Sequence, residues 1–230
     1  MPRLKEISKP EIGPDLAYLC GVLAGDGYIG IRPHKKEYVV NCGGNKEDEV
    51  YFYDYVVAPL LTKLFDLEVK PKNLSGTYGF NVYSKKLVYF LINEIGMTKS
   101  PKNNLTFPDI FLKDRNLSIN FIRGVADTDF SFQLKKGKYP SIRGSSKCKY
   151  FMQQIVAVLE ELGFKIKTYY DYKVIDSRLK QGFNIISRIE LNGHDNFRLW
   201  IKLIGTMQPK FQSKVYKWQK IQANKMNITE

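Results

Sequence analysis

The sequence predicts an α+β protein of two pseudo-symmetric halves, each running helix, two strands, helix, two strands, helix (αββαββα) around an antiparallel sheet. Three observations predict it: a segment that occurs twice, hydrophobic spacing that alternates between helix and strand periods in the same order in both halves, and turn residues at the junctions. Residues 16–29 read LAYLCGVLAGDGYI and residues 119–132 read INFIRGVADTDFSF. Each is an apolar helical run with a Gly-Val at Gly21 or Gly124, then small residues, then an aspartate, Asp26 or Asp129. Downstream, an alternating segment leads to Asn45-Lys46 in one copy and Ser146-Lys147 in the other, each opening a helical run. Later still, LVYFLINEIGMTKSPK and FRLWIKLIGTMQPK both end a helix in Ile-Gly and then place a Pro-Lys. Landmarks in one order at nearly one offset indicate a duplicated unit of about half the chain. Two domains follow, 1–112 with the connector and 113–230 with an additional terminal helix.

Taken in order, the first half opens with a helix from about Asp15 to Gly25, with Pro14 in the first-turn position that proline tolerates. Strands are expected near 28–33 and 37–43. The run after Lys46 carries Val50, Tyr53, Val57, Leu60, Leu61 and Leu64 at helical spacing. Strands near 67–72 and 78–84 precede a helix from Lys86 to Ile95. Thr98 to Leu117, with Pro101, Pro108 and several Asn, reads as the connector. In the second half Ser118 is the expected N-cap of a helix reaching Asp129. Strands near 130–135 and 139–145, a helix over 147–162, strands near 164–175 and 182–191 and a helix over 194–204 complete the repeat. A last amphipathic helix near 211–225 has no counterpart.

Composition sets the class of partner. The chain has 230 residues, 36 Lys and Arg against 23 Asp and Glu, a formal charge of +13 and a pI near 9.5. That excess favours a polyanion, and because it is spread along the chain rather than gathered in one amphipathic helix it favours nucleic acid over a membrane. Cys20, Cys42 and Cys148 match no zinc or redox spacing and read as reduced packing residues. No apolar run suits a signal peptide or a membrane span. An intracellular protein is expected, in the cytoplasm of a prokaryote or an organelle of a eukaryote. His34 and His194 stand apart from the motifs and suit surface or loop roles.

The repeated helices carry the chemistry. Gly21, Ala24 and Gly25 precede Asp26, and Gly124, Ala126 and Thr128 precede Asp129. Small residues let two helices approach closely, and if the pair is parallel both aspartates arrive at one end. Carboxylates held together repel, and a hard divalent cation relieves the repulsion; helix-end carbonyls add to its attraction. A single copy reads more readily as helix-packing glycines before a solvent-exposed aspartate, but two copies in register reverse that preference.

The segments LCGVLAGDG (19–27) and IRGVADTDF (122–130) resemble the two signature motifs of single-chain LAGLIDADG homing endonucleases. The S-x-K-x-L element near Ser84 to Leu87 and the Ile-Gly elements at Ile95-Gly96 and Ile204-Gly205 extend the resemblance over nearly the whole chain. Ala24 replaces an acidic residue usual in the first motif, Asp127 keeps it in the second, and Phe130 stands where glycine is usual. The resemblance implies that Asp26 and Asp129 bind metal with the carbonyls of Gly25 and Thr128. It also implies that Mg²⁺ is the ion (Mn²⁺ substituting, Ca²⁺ supporting binding without cleavage), that Lys46 and Lys147 act beside the metals, and that Asn45 and Ser146 hold water there. Lys46 alone also reads as an ordinary first-turn residue.

The resemblance further implies that the sheets form a saddle on double-stranded DNA. Strand parity then turns Ser131, Gln133, Lys135, Ser141 and Arg143 to DNA and Phe130, Phe132, Leu134 and Ile142 to the helices. By the same logic Tyr28, Arg32, Lys70, Lys72, Asn81, Tyr83, Lys165, Lys167, Asn184, Arg188 and Glu190 are candidates, although polar strand faces are commonly just solvated. A free-standing, monomeric, intron-encoded endonuclease results. The alternative is a non-cleaving binder on the same scaffold, either an intron-RNA maturase or a DNA-binding regulator.

Overall fold

Every residue from Leu16 to Ala24 is buried, so the first motif helix has no solvent face. A helix apolar all round belongs in the middle of a molecule. The computed structural model describes residues 5–226, and it places α1 (Pro14–Gly25) against α6 (Arg115–Asp129) as the central parallel pair. A side chain on Gly21 would strike the carbonyl oxygen of Phe121, and one on Gly124 the carbonyl oxygen of Tyr18. The two glycines face each other, and the contacts are reciprocal about a pseudo-two-fold axis. Tyr18 Oη donates across the pair to Asp127 Oδ2 at 2.8 Å.

After α1 the chain forms β1 (Gly27–Arg32) and β2 (Glu37–Gly44), then a helical stretch made of α2 (Val50–Phe52), a π-helical segment (Tyr53–Val57) and α3 (Ala58–Phe65). β3 (Lys72–Asn73), β4 (Tyr78–Tyr83) and α4 (Lys85–Tyr89), continued by a π-helical segment to Glu94, close the first half. The connector holds a short helix, α5 (Asp109–Leu112). The second half runs α6, β5 (Phe130–Lys135), β6 (Tyr139–Ser146), α7 (Lys149–Glu161), β7 (Lys167–Ile175), β8 (Phe183–Asn192) and α8 (His194–Leu203), with α9 (Pro209–Met226) beyond the repeat. Both sheets are antiparallel with matching order, β1-β2-β4-β3 and β5-β6-β8-β7. The predicted α+β duplication is the fold observed.

Several expected boundaries move. The N-cap of α6 is Asp114, whose carboxylate accepts from Leu117 N at 2.9 Å; Ser118 lies inside the helix and donates to Phe111 O. The strand expected at 67–72 shrinks to Lys72–Asn73, as Pro71 has no N–H for a ladder. β7 begins at Lys167 rather than 164. The helices behind Asn45-Lys46 and Ser146-Lys147 start at Val50 and Lys149, so both lysines sit in the preceding turns. Ser84 is the N-cap of α4, accepting from Leu87 N at 3.2 Å. His194 is not in a loop: it begins α8, and its Nδ1 accepts from Trp218 Nε1 at 2.9 Å.

One apolar core runs through both halves. Phe130, where the family usually has glycine, packs its ring toward Trp200, and Gly144 directly opposite leaves the room a side chain would take. The first half reverses the pair with Gly27 opposite Cys42. Cys20 and Cys42 are buried, Cys148 is half-buried, and all three are free thiols. Among the described residues no helix is long and apolar enough to cross a membrane.

Candidate active site

Asp26 and Asp129 end the two central helices, and a side chain on Gly25 would come within 3.3 Å of the Asp129 carboxyl carbon. The aspartates are therefore neighbours across the pseudo-dyad. Burial, then the charges of Asp129 and Glu49, push Asp26 up to about 7, against the lowering effect of a 3.0 Å hydrogen bond donated by Tyr53 Oη. Burial likewise pushes Asp129 up to about 6, with Lys102 opposing.

The cation whose charge acts on both acids is not one the motifs named. Lys102 Nζ donates to the carbonyl oxygens of Leu23 at 3.0 Å, Ala24 at 2.8 Å and Gly25 at 2.6 Å, the free acceptors at the negative end of α1. Burial lowers its proton affinity, and Asp129 and Asp26 work to restore it. Its counterpart in the second Pro-Lys, Lys210, crosses to the first half and ion-pairs with Glu49. Glu49 is buried; its Oε2 accepts from Asn45 N at 2.6 Å, and Gln208 Nε2 donates to Oε1 at 3.3 Å. Asp127, fully buried, holds Thr206 and Met207 N just before Gln208 and Lys210, and burial pushes it up to about 6. Sequence reasoning used the Pro-Lys dipeptides only as landmarks of the repeat. Their chemistry was legible in principle, since a lysine that recurs after the same Ile-Gly landmark in both halves is a candidate for a paired site.

The residues named from the motifs divide. Lys46 and Lys147 are exposed, and among the described residues no hydrogen bond or ion pair ties either to the aspartates. Asn45 and Ser146 cap the same turns, Asn45 Oδ1 accepting from Glu47 N at 2.7 Å and Ser146 Oγ from Cys148 N at 3.1 Å. Thr128 Oγ1 bonds back to Gly124 O and Val125 O, the local habit of a helical threonine.

Strand register places Tyr28, Arg32, Asn81, Tyr83 and Lys72 on the face of the first sheet away from Ile29, Val40 and Val82. In the second sheet Ser131, Gln133, Lys135, Ser141, Arg143, Lys167, Asn184, Arg188 and Glu190 share the face away from Phe132, Ile142 and Ile189. Lys70 and Lys165 lie outside every strand, so parity assigns them no face. Glu190 is a buried ion-pair partner of Arg143 and Arg188.

Among the described residues no three His, Cys, Asp or Glu side chains come together as a metal cluster. What is present is a carboxylate pair with raised proton affinity beside helix-end carbonyls. Such a set fits a hard divalent cation, which relieves the repulsion that protons otherwise relieve. Lys102 takes one lone pair of the Gly25 carbonyl, and a carbonyl oxygen has two.

The fold and site define a class: duplicated α+β proteins with one acid per half at the ends of a glycine-packed helix pair. Residues 116–205 match the family model described as a LAGLIDADG-like domain. Across the whole chain, the homing endonuclease I-DmoI, in a study of mesophilic variants, is similar with a TM-score of 0.59 at 21% identity, covering 83% of this chain and 95% of that one. I-DmoI has also been solved in complex with DNA and Mn and with DNA and Ca. The homing endonuclease I-WcaI, bound to its DNA recognition sequence, gives 0.53 at 14% identity over 91% of this chain and 87% of that one. WhiA from Thermotoga maritima gives 0.53 at 10% identity, over 95% and 69%. No curated protein sequence matches the chain. Residues 116–205 are thus similar to a LAGLIDADG-like domain, and the chain as a whole has the fold of the LAGLIDADG homing endonucleases.

Proposed function

We propose that the chain is an intron-encoded, site-specific endonuclease that acts as a monomer and cuts both strands of a long duplex target with a divalent metal, Mg²⁺ in the first instance. The observation that carries this reading is the convergence of Asp26 and Asp129, one from each half, beside a lysine held on helix-end carbonyls. A pure binder has no chemical use for two acids buried side by side, each with raised proton affinity. When bound, a divalent ion supplies a Lewis acid for the scissile phosphate and lowers the pKa of the attacking water. Asp26 and Asp129 provide the negative charge that holds it, and Tyr53 fixes the orientation of the Asp26 carboxylate. The Lys102 ammonium faces both acids and stabilises charge that develops on phosphorus.

The DNA complexes of I-DmoI, with Mn and with Ca, support a duplex partner and a divalent ion of this kind. Mn²⁺ is expected to replace Mg²⁺, and Ca²⁺ to support binding without cutting. The test is cleavage of plasmid libraries carrying candidate insertion sites in Mg²⁺, with Asp26→Asn and Asp129→Asn as controls. Double-strand cutting lost in both variants, with DNA binding in Ca²⁺ retained, supports the reading. Tight binding by the unaltered protein without any cutting transfers it to a non-cleaving binder on the same scaffold, of duplex DNA or of intron RNA.

A further inference from the structure

One carboxylate in the second sheet is out of place for a surface that meets a polyanion. Glu190 is only 8% exposed, yet it lies on the polar face with Arg143 directly opposite on β6 and Lys167 opposite on β7. Its Oε1 is 2.9 Å from Arg143 Nε and 3.5 Å from Arg188 Nε. Both Nε atoms are buried, and neither is aligned to form a hydrogen bond. Asn192 Nδ2 donates to Oε2 at 3.3 Å, and Asn192 Oδ1 in turn accepts from Ser141 Oγ at 2.7 Å and Lys135 Nζ at 3.0 Å. Burial works to raise the Glu190 carboxyl, but the Asn192 bond and the charges of Arg143, Arg188 and Lys135 outweigh it and hold it below the ordinary range. The carboxylate is ionised and built in.

Arg188 is fixed from a second side. Its guanidinium lies 4.8 Å from the Tyr169 ring centre and 4.9 Å from that of Tyr172. The irregularity in β7 between these tyrosines brings both rings to this face, where an uninterrupted strand would space them differently. Ordering a long arginine side chain costs it rotamer freedom. A carboxylate and two rings that order it beforehand remove that cost from the binding step.

We propose that Glu190 is a positioning residue that aims Arg143 and Arg188 so that each presents the outer edge of its guanidinium to a guanine in the major groove. This rests on the reading of the chain as a site-specific DNA-binding enzyme and deepens it. The guanidinium fork matches guanine O6 and N7 in a bidentate pair, the commonest specific contact of arginine. The Nε side of each guanidinium is the buried one, next to Glu190, which leaves the Nη edge for a base. Glu190 and Arg188 are two residues apart on β8, about 6.8 Å along the strand, or about two base steps. The target is therefore expected to carry two guanines separated by about two base pairs opposite the second sheet. Phosphate offers the same acceptor chemistry, but phosphate contacts select no base.

The experiment is selection from a pool of duplex DNA randomised over the whole footprint, in Ca²⁺, with the unaltered chain, E190Q, E190D, R143Q and R188Q. E190Q keeps the volume and loses the charge; E190D keeps the charge with a shorter reach, and thermal melting establishes that each variant folds. The unaltered chain should enrich guanine at two nearby positions. R143Q should lose one, R188Q the other, and both Glu190 variants should lower both together by about tenfold, leaving other positions unchanged. Retained guanine preference in E190Q and E190D overturns the proposal. So does a loss of affinity spread evenly over all sequences, which would make the arginines phosphate contacts. Selection of no sequence by the unaltered chain would overturn site-specific recognition itself, and this inference with it.

Discussion

Asp26 and Asp129 bind protons more tightly in the fold than in the unfolded chain, and this has a sign that can be checked. A carboxyl whose folded value rises from 3.8 to about 7 leaves stability intact below pH 4 and removes it progressively as pH rises toward 7. For Asp26 this is worth up to ~4 kcal/mol, the upper bound from 1.36 kcal/mol per pH unit. Asp26→Asn should therefore melt higher than the unaltered chain at pH 8 in EDTA and no higher at pH 4. Mg²⁺ should stabilise the unaltered chain at pH 8 and leave the variant unmoved. Equal melting of the two proteins in EDTA at pH 8 would show that the acids are solvated. The lysines can be ranked in the same way. Lys102→Met should slow cleavage about 10²–10³-fold, the effect of removing one electrostatic stabiliser. Lys46→Ala and Lys147→Ala, exposed and unbonded to the acids, should cost less than Lys102→Met. Single-turnover rates on each labelled strand decide the order, and a larger loss at Lys46 would restore the motif-derived assignment.

At the scale of elements, the central helix pair depends on two residues without side chains. A methyl group on Gly21 or Gly124 would meet backbone of the opposite helix, which has no rotamer to yield. Gly21→Ala and Gly124→Ala should each destabilise by about 3 kcal/mol, at the upper end of overpacking costs. Gly13→Ala, where nothing lies within 4 Å, is the control that should stay near neutral. Urea denaturation measures all three, and a neutral Gly21→Ala would mean that the helices are not packed this closely. Because the aspartates end these helices, Gly21→Ala should also weaken Mg²⁺-dependent stabilisation before the fold is lost.

For the whole molecule, the halves are joined by more than their helices. Tyr18 to Asp127 and Lys210 to Glu49 both cross between them, and both involve buried acids. A Lys210/Glu49 double-mutant cycle should give a coupling of at least ~1 kcal/mol, since contacting residues in one buried network couple by about 0.5–3 kcal/mol. Additive single effects would reduce the pair to a surface contact. The +13 charge makes a second demand at this scale: log K for duplex DNA should fall with log salt at a slope of about −0.9 per phosphate contacted. Binding that ignores salt would remove the two sheet faces from the interface.

The sequence by itself determined the duplication and the α+β class, and it brought Asp26 to Asp129 on the condition that the two motif helices pack in parallel, which the tertiary structure supplied. Duplication and class follow from periodicity and composition repeated in register, and these are local properties. Small residues at Gly21 and Gly124 implied close helices, and alternation in β5 and β6 implied which side chains leave the core. Tertiary structure decided the rest. Lys102, in the connector, and Lys210, at the start of α9, lie far along the chain from the acids they face. Glu49 is the last of three consecutive acids, Glu47 to Glu49, with nothing along the chain to set it apart, yet it alone of the three is buried, where Lys210 arrives from the other half. Asp114 took the cap expected of Ser118 because α5 turns the connector first. Burial, charge pairing and hydrogen bonding between distant segments depend on where the backbone brings them in space, and no periodicity along one segment encodes its partner.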